Sequence, residues 1–130
     1  MHVFSTRIYY EDTDAAGVVY YANYLKYAER ARTEYLRDIG VFQSSMLEDG
    51  LGFVVRKCEV EYFSPARLDD EIEVKTSLQN IGKVRLNMNQ SVYKANKQLV
   101  SLQVEIAMVD NNFRPAKIPL YITEKLKVTL

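Results

Sequence analysis

The sequence predicts an α+β domain in which one antiparallel sheet of five strands wraps around a single long helix. Three observations predict it. Only residues 23–39 carry a sustained helical repeat of apolar positions. From Phe53 to Met108 the chain alternates apolar and polar residues with period two, in four runs. Those runs are joined by short turns, as antiparallel neighbours require. A helix and a sheet with one apolar face each bury those faces against each other, which gives two layers.

The elements follow in order. Residues 4–10, FSTRIYY, are β-branched and aromatic and read as a first strand, and residues 11–22 as a turn with an irregular continuation. In the helix, Tyr24, Tyr27, Ala28, Ala31, Tyr35 and Ile39 fall on one side, and Lys26, Glu29, Arg30, Arg37 and Asp38 fall largely elsewhere. Asn23 is the expected N-cap, and Gly40 stands where a left-handed residue would end the helix. Ala28 and Ala31 are small enough to let the helix lie close to a sheet. Residues 41–52 read as a loop with one short helical turn.

In the next strand Val54, Cys58, Val60 and Tyr62 are expected on one face, with Arg56 as an exception, and Lys57, Glu59 and Glu61 on the other. Ser64-Pro65 breaks it. Ile72, Val74, Thr76 and Leu78 define the third strand, and Asn80–Gly82 the turn after it. Val84, Leu86, Met88 and Val92 define the fourth strand, with Asn96 in the hairpin that follows. Leu102, Val104, Ile106 and Met108 define the fifth. Residues 120–126 read as a short terminal helix.

The totals bound the function. The 130 residues suit one domain, 1–130, with a real core. Lys plus Arg and Asp plus Glu are 17 each, a zero formal net charge that argues against nucleic acid as a partner. One cysteine, Cys58, excludes an internal disulfide and suits a reducing compartment; mid-strand, it reads as a core filler. The first residues lack a signal peptide's basic and apolar regions, and no apolar run reaches the roughly 20 residues of a membrane span. A cytoplasmic protein is expected. Ten tyrosines and no tryptophan suggest half-buried surfaces with polar tips, as in pockets and subunit interfaces.

Elimination narrows the chemistry. The only histidine is His2, expected at a loose terminus, so a Ser-His-Asp or Cys-His apparatus and a zinc site lack their ligands. There is no phosphate loop and no dinucleotide fingerprint. Carboxylate chemistry remains. Glu11, Asp12 and Asp14 lie within four residues, shortly before the helix start. A helix N-terminus presents unpaired N–H groups and partial positive charge to a carbonyl or anion. Asp14 is the leading candidate for a nucleophile or base; an Asp before a Gly also serves simply to bond its own turn, and spacing alone favours that plainer role. Glu11 and Asp12 read as solvated turn charges.

The run Y-Y-E-D-T-D-x-x-G-V-V-Y-x-A-N-Y-L-x-Y-x-E-R-A-R-x-E, from Tyr9 to Glu34, resembles the signature of hotdog-fold acyl-CoA thioesterases of the 4-hydroxybenzoyl-CoA thioesterase superfamily. A second block, FVVRKCEVEYFSPARLDDEIEV from Phe53 to Val74, is similar to the same superfamily's Tol-Pal-associated acyl-CoA thioesterase branch. The resemblance implies that Asp14 is the catalytic carboxylate and that the backbone N–H of Tyr21 holds the thioester oxygen. It implies an assisting role for Tyr10. This branch commonly carries His directly after V-V-Y, where this chain has Tyr21; the change removes support for a side-chain acid or base there and leaves the amide role intact.

The resemblance further implies edge-to-edge dimers with shared sites, often paired into tetramers, and no cofactor or metal. Coenzyme A phosphates would need cations, for which Lys83 and Arg85 after the Gly82 turn are the best candidates, with plain solvated turn charges as the equal alternative. The expected function is acyl-CoA hydrolysis to a carboxylic acid and free coenzyme A. The alternative is a non-catalytic acyl-CoA or acyl-carrier-protein binding module linked to the Tol-Pal envelope system, with any peripheral membrane association resting on that analogy. A hotdog dehydratase is disfavoured, because such sites generally use a histidine this chain cannot supply.

Overall fold

In the computed structural model, which describes residues 1–130, the chain folds as β1 (His2–Arg7), α1 (Asn23–Asp38), α2 (Gln43–Glu48), β2 (Gly52–Tyr62), β3 (Glu71–Ile81), β4 (Arg85–Lys94), β5 (Lys97–Val109) and α3 (Leu120–Lys127). A single 3-10 turn, Tyr10–Asp12, follows β1. The five strands form one sheet in the order β1-β3-β4-β5-β2, and every neighbouring pair is antiparallel. α1 lies across one face of this sheet, as expected. Between them sits a cluster of 26 buried apolar residues that also takes in Met46 of α2 and Ile122 and Leu126 of α3. No helix is long and apolar enough to cross a membrane.

α1 buries Tyr24, Tyr27, Ala28, Ala31, Tyr35 and Leu36, and Ala28 and Ala31 are fully covered where helix and sheet approach. The helix ends as the glycine predicts. Gly40 adopts φ +84°, its N–H donates to the Arg37 carbonyl at 3.0 Å, and Val41 N–H reaches back to Leu36 O at 2.8 Å. This closes the last carbonyls of the helix, and the buried side chains of Leu36 and Val41 seal the joint. The start differs from expectation. The N-cap is Ala22, with no side-chain cap, and Asn23 is already helical. Asn23 spends its side-chain amide on Asp12 instead, donating to Oδ1 at 3.1 Å.

β1 begins earlier and ends earlier than the aromatic run predicts. His2 pairs with Thr76 and Arg7 with Glu71, so the terminus is held by the sheet. His2 is therefore not loose. Its Nε2 lies 2.7 Å from Asp38 Oδ2, its side chain is 15% exposed, and its ring tilts against Tyr35 at 5.9 Å.

Two bulges account for one wrong strand face and one misplaced turn. β2 and β5 shift register between Val55 and Lys57, which leaves Arg56 without a partner. The extra residue flips the alternation, because side chains change face at every step. Val55 opposite Ile106 thus shares the core face with Cys58, Val60 and Tyr62, whereas Val54, opposite Ala107, points to the other face. A second shift between Leu78 and Asn80 carries β3 on to Ile81, so the turn is Gly82–Val84 rather than Asn80–Gly82.

Cys58 corrects another expectation. It faces the core side, but β2 is an edge strand beyond the cover of α1, and no residue of β2 is buried. Cys58 is exposed rather than a core filler.

Candidate active site

The 13–24 segment is built by backbone bonds before any side chain acts. Thr13 and Val19 form an antiparallel bridge, closed by Asp14 N–H to Val18 O at 2.9 Å. Gly17 N–H donates to Asp14 O at 3.0 Å, and Gly17 sits at φ +80°, a left-handed conformation that favours glycine. The loop is then tied to the stretch between β2 and β3. Val18 bridges Arg67, and the buried Val19 donates to Ala66 O at 2.9 Å. Tyr24, from the first turn of α1, accepts the Ala66 N–H at 3.0 Å.

The three carboxylates of this segment have three different fates. Glu11 points to solvent. Asp12 is half-buried and is a structural knot: Oδ2 accepts Tyr9 N–H at 2.8 Å, Oδ1 accepts Asn23 Nδ2, and its carbonyl accepts Tyr20 N–H at 2.9 Å. The solvated role expected for Asp12 is thereby corrected. The buried Tyr27 hydroxyl, without a hydrogen bond of good geometry, lies near it; burial first, and the Asp12 charge second, hold that phenol's pKa well above its ordinary value. Asp14 Oδ1 accepts Ala16 N–H at 2.9 Å, the turn role that spacing suggests. That is its only side-chain bond, and the exposed carboxylate keeps Oδ2 uncommitted.

Seven residues on, the chain presents free donors. Tyr20 N–H is used by Asp12 and Asn23 N–H by Tyr20 O, but the N–H groups of Tyr21 and Ala22 donate to nothing within the chain. They stand at the N-terminus of α1, where the helix dipole adds partial positive charge. Beside them is an aromatic pocket of about 280 Å³, walled by Tyr21, Tyr24, Tyr62 and Phe63 and floored by Val19 and Pro65. The rings meet edge to face, Tyr21 to Tyr62 at 6.2 Å and Tyr24 to Tyr62 at 5.8 Å.

Asp14 and Tyr21 therefore belong to one tied-down loop. Tyr10 does not join them through any side-chain contact; its residue is 82% exposed, and only its carbonyl is engaged, by Thr13. Lys83 and Arg85 lie at the other end of the sheet within one chain. The Asp14 loop is anchored just before β3, and Lys83 follows its last residue, so about 30 Å of strand separates them. Arg85 leans on Glu105 at 3.9 Å.

The polar core and Tyr62 were not singled out from the sequence. Arg32, Gln90 and Thr76 are buried together between α1 and the sheet. A signal existed for Gln90: it stands at an inward position of the Leu86-Met88-Val92 alternation, where a polar residue demands a partner.

A sheet wrapped around one helix, with a carboxylate loop leading into unpaired amides at that helix's N-terminus, defines a hotdog-fold protein. The chain belongs to the thioesterase-like superfamily, whose family model matches residues 9–126. It is 41% identical over 123 residues to the acyl-CoA thioester hydrolase YbgC of Escherichia coli O157:H7, covering 93% of this chain and 92% of that one. It is 40% identical over 118 residues to the acyl-CoA thioesterase YbgC of Haemophilus influenzae, with 89% and 87% covered. Among solved structures, the probable thioesterase from Bartonella henselae superposes with a TM-score of 0.86 at 37% identity, over 91% of this chain and 98% of that one.

Proposed function

We propose that the chain, as one hotdog domain over residues 1–130, is an acyl-CoA thioester hydrolase whose catalytic carboxylate is Asp14. Water and acyl-S-CoA give a carboxylic acid and CoA-SH. Asp14 acts either as the nucleophile, forming an acyl-aspartyl anhydride that water then opens, or as the base that takes a proton from the attacking water. In both routes negative charge grows on the thioester oxygen, and the Tyr21 N–H is the donor that receives it. The observation that carries the reading is the pairing, on one loop, of an uncommitted carboxylate oxygen with unpaired amides at the start of α1. The names borne by the relatives at 40 and 41% identity support the same substrate class.

Several finer parts belong to this reading. Tyr10 assists from the rim. Lys83 and Arg85 hold the coenzyme A phosphates of a site completed by a second copy, since they stand far from Asp14 in their own chain. The exposed core-side face of β2, with Val55 49% exposed, supports association through that edge. The protein then works as a cytoplasmic homodimer or homotetramer, with the Tol-Pal system as its cellular setting and acyl carrier protein as an alternative thioester carrier.

The test is release of free thiol from a panel of short, long and benzoyl-type acyl-CoAs by the purified protein and its Asp14→Asn variant. Turnover lost in the variant is the expected result. Saturable acyl-CoA binding without turnover, unchanged in the variant, would replace the enzyme by the binding-module reading.

A further inference from the structure

The Tyr21 carbonyl makes one hydrogen bond, and it comes from far along the chain. The hydroxyl of Tyr62, in the last position of β2, donates to it at 3.0 Å. No backbone N–H reaches this carbonyl, although those of Tyr20 and Ala22 on either side accept Asn23 and Leu25. A peptide's N–H points opposite its C=O, because the unit is planar and trans. Fixing the Tyr21 carbonyl therefore fixes the direction of the Ala22 N–H, while the Tyr21 N–H, on the preceding peptide, is set by the bond from Asn23 N–H to Tyr20 O at 2.8 Å. These are the two free donors of the site.

The geometry points to Tyr62 as a positioning residue, whose hydroxyl aims the unpaired Ala22 amide at the head of α1 toward the substrate oxygen, beside the Tyr21 amide. The inference rests on the thioesterase reading above. Tyr62 itself is well placed to hold still. Its backbone pairs with Val100 in β5, and its ring is edged by Tyr21 and Tyr24. Tyr24 is in turn locked to the Ala66 amide. Burial, followed by the neighbouring Tyr21 and Cys58, raises the phenol's pKa and keeps it in the donor form at neutral pH. The bond joins two elements at the one peptide of the helix entry, Tyr21–Ala22, whose carbonyl no backbone N–H holds.

The experiment compares wild type, Asp14→Asn and Tyr62→Phe. Phenylalanine keeps the ring packing and removes only the donor. The expected result is a roughly tenfold to hundredfold fall in kcat, the scale of a small misplacement of a reacting group. KM stays within about twofold, and so does the affinity for a non-hydrolysable thioether analogue of acyl-CoA, because the ground state asks less of the donors. Unchanged kcat, or a loss carried by KM and analogue binding, overturns the positioning role.

Two further readouts keep the outcomes separable. Incorporation of 3-fluorotyrosine at position 62 acidifies the phenol, and the alkaline limb of kcat should move to lower pH; an unmoved limb overturns the proposal even if Tyr62→Phe does not fold. The Tyr21 carbonyl carbon and Ala22 amide resonances should shift in Tyr62→Phe, and unshifted resonances overturn the anchoring. This last reading needs no turnover. A wild type that releases no thiol would sink the hydrolase, while an active wild type, a dead Asp14→Asn and a wild-type-like Tyr62→Phe would sink only the role of Tyr62.

Discussion

The guanidinium of Arg32 donates to the side-chain oxygen of Gln90 at 3.0 Å, between α1 and the centre of the sheet. Gln90 passes the bond on, its amide nitrogen Nε2 donating to Ala28 O and Thr76 Oγ1, each at 3.0 Å. Arg32 also pairs with Glu29 at the rim of this network. A charge taken into the core is tolerated here because Nη1 and Nη2 are both bonded and the Glu29 carboxylate offsets the charge.

Removing one partner should therefore cost more than removing both. Gln90→Leu should lower stability by about 2 kcal/mol, because the buried Arg32 Nη1 and Thr76 hydroxyl lose their partner. Adding Arg32→Met to Gln90→Leu should recover part of that loss, since no buried charge then remains. Urea unfolding of the two variants checks the order; a double variant that sums the single losses would refute the coupling.

Asp14→Asn should leave folding intact and remove activity. Asparagine retains an Oδ1 to accept the Ala16 N–H, so the turn keeps its bond. It cannot act as a carboxylate base or nucleophile. Thiol release should fall by about 10² to 10⁴-fold with the melting temperature unchanged.

Gly17→Ala isolates backbone strain from steric fit. No atom lies within 4 Å of the position a Cβ would take, so nothing clashes. The φ of +80° alone makes the substitution unfavourable, by about 1 kcal/mol. The loss should appear in chemical denaturation. Turnover should drop as well, because the same turn carries Asp14.

The Asp70 carboxyl governs part of the acid limb of stability. Burial pushes its pKa up, but the Lys94 ammonium at 2.8 Å, the Arg67 N–H at 2.8 Å and the charges of both residues outweigh burial and hold it below the usual carboxylate range. A pKa depressed on folding gives stability that is complete above the unfolded value, about 4, and is lost as pH falls through the folded one. Lys94→Met removes the strongest of those lowering partners. Unfolding midpoints measured from neutral pH downward should then fall less steeply below about pH 4 in the variant than in wild type.

Association should run through β2. Val55→Glu places a charge on the exposed core-side face of that edge strand, and sedimentation should show a shift toward monomer. If Lys83 and Arg85 serve a site in the second copy, KM for acyl-CoA should rise in the same variant. A monomeric wild type would remove the basis for both expectations.

Much of this protein is determined by neighbours along the chain. The 3.6-residue repeat of α1, the alternation in β3, β4 and β5 and the left-handed stop at Gly40 are short-range steric patterns, and they appear where they were expected. The order of residues from Tyr9 to Glu34 also carries the family resemblance, and the lack of histidines beyond His2 is what points the proposal to a carboxylate. Tertiary structure decided what depends on distant partners. Asp12 and Asp14 are alike in sequence, yet Asn23 and Tyr9 consume one and leave the other open. His2 is ordered because β3 is long enough to pair with it, and Cys58 is exposed because β2 lies at the edge of the sheet. A bulged residue, Arg56, reverses the face of Val54 without changing the local composition. The bond from Tyr62 to Tyr21 spans 41 positions. Local propensity cannot encode such pairings, because they form only when the sheet closes around the helix and brings both ends of the contact together.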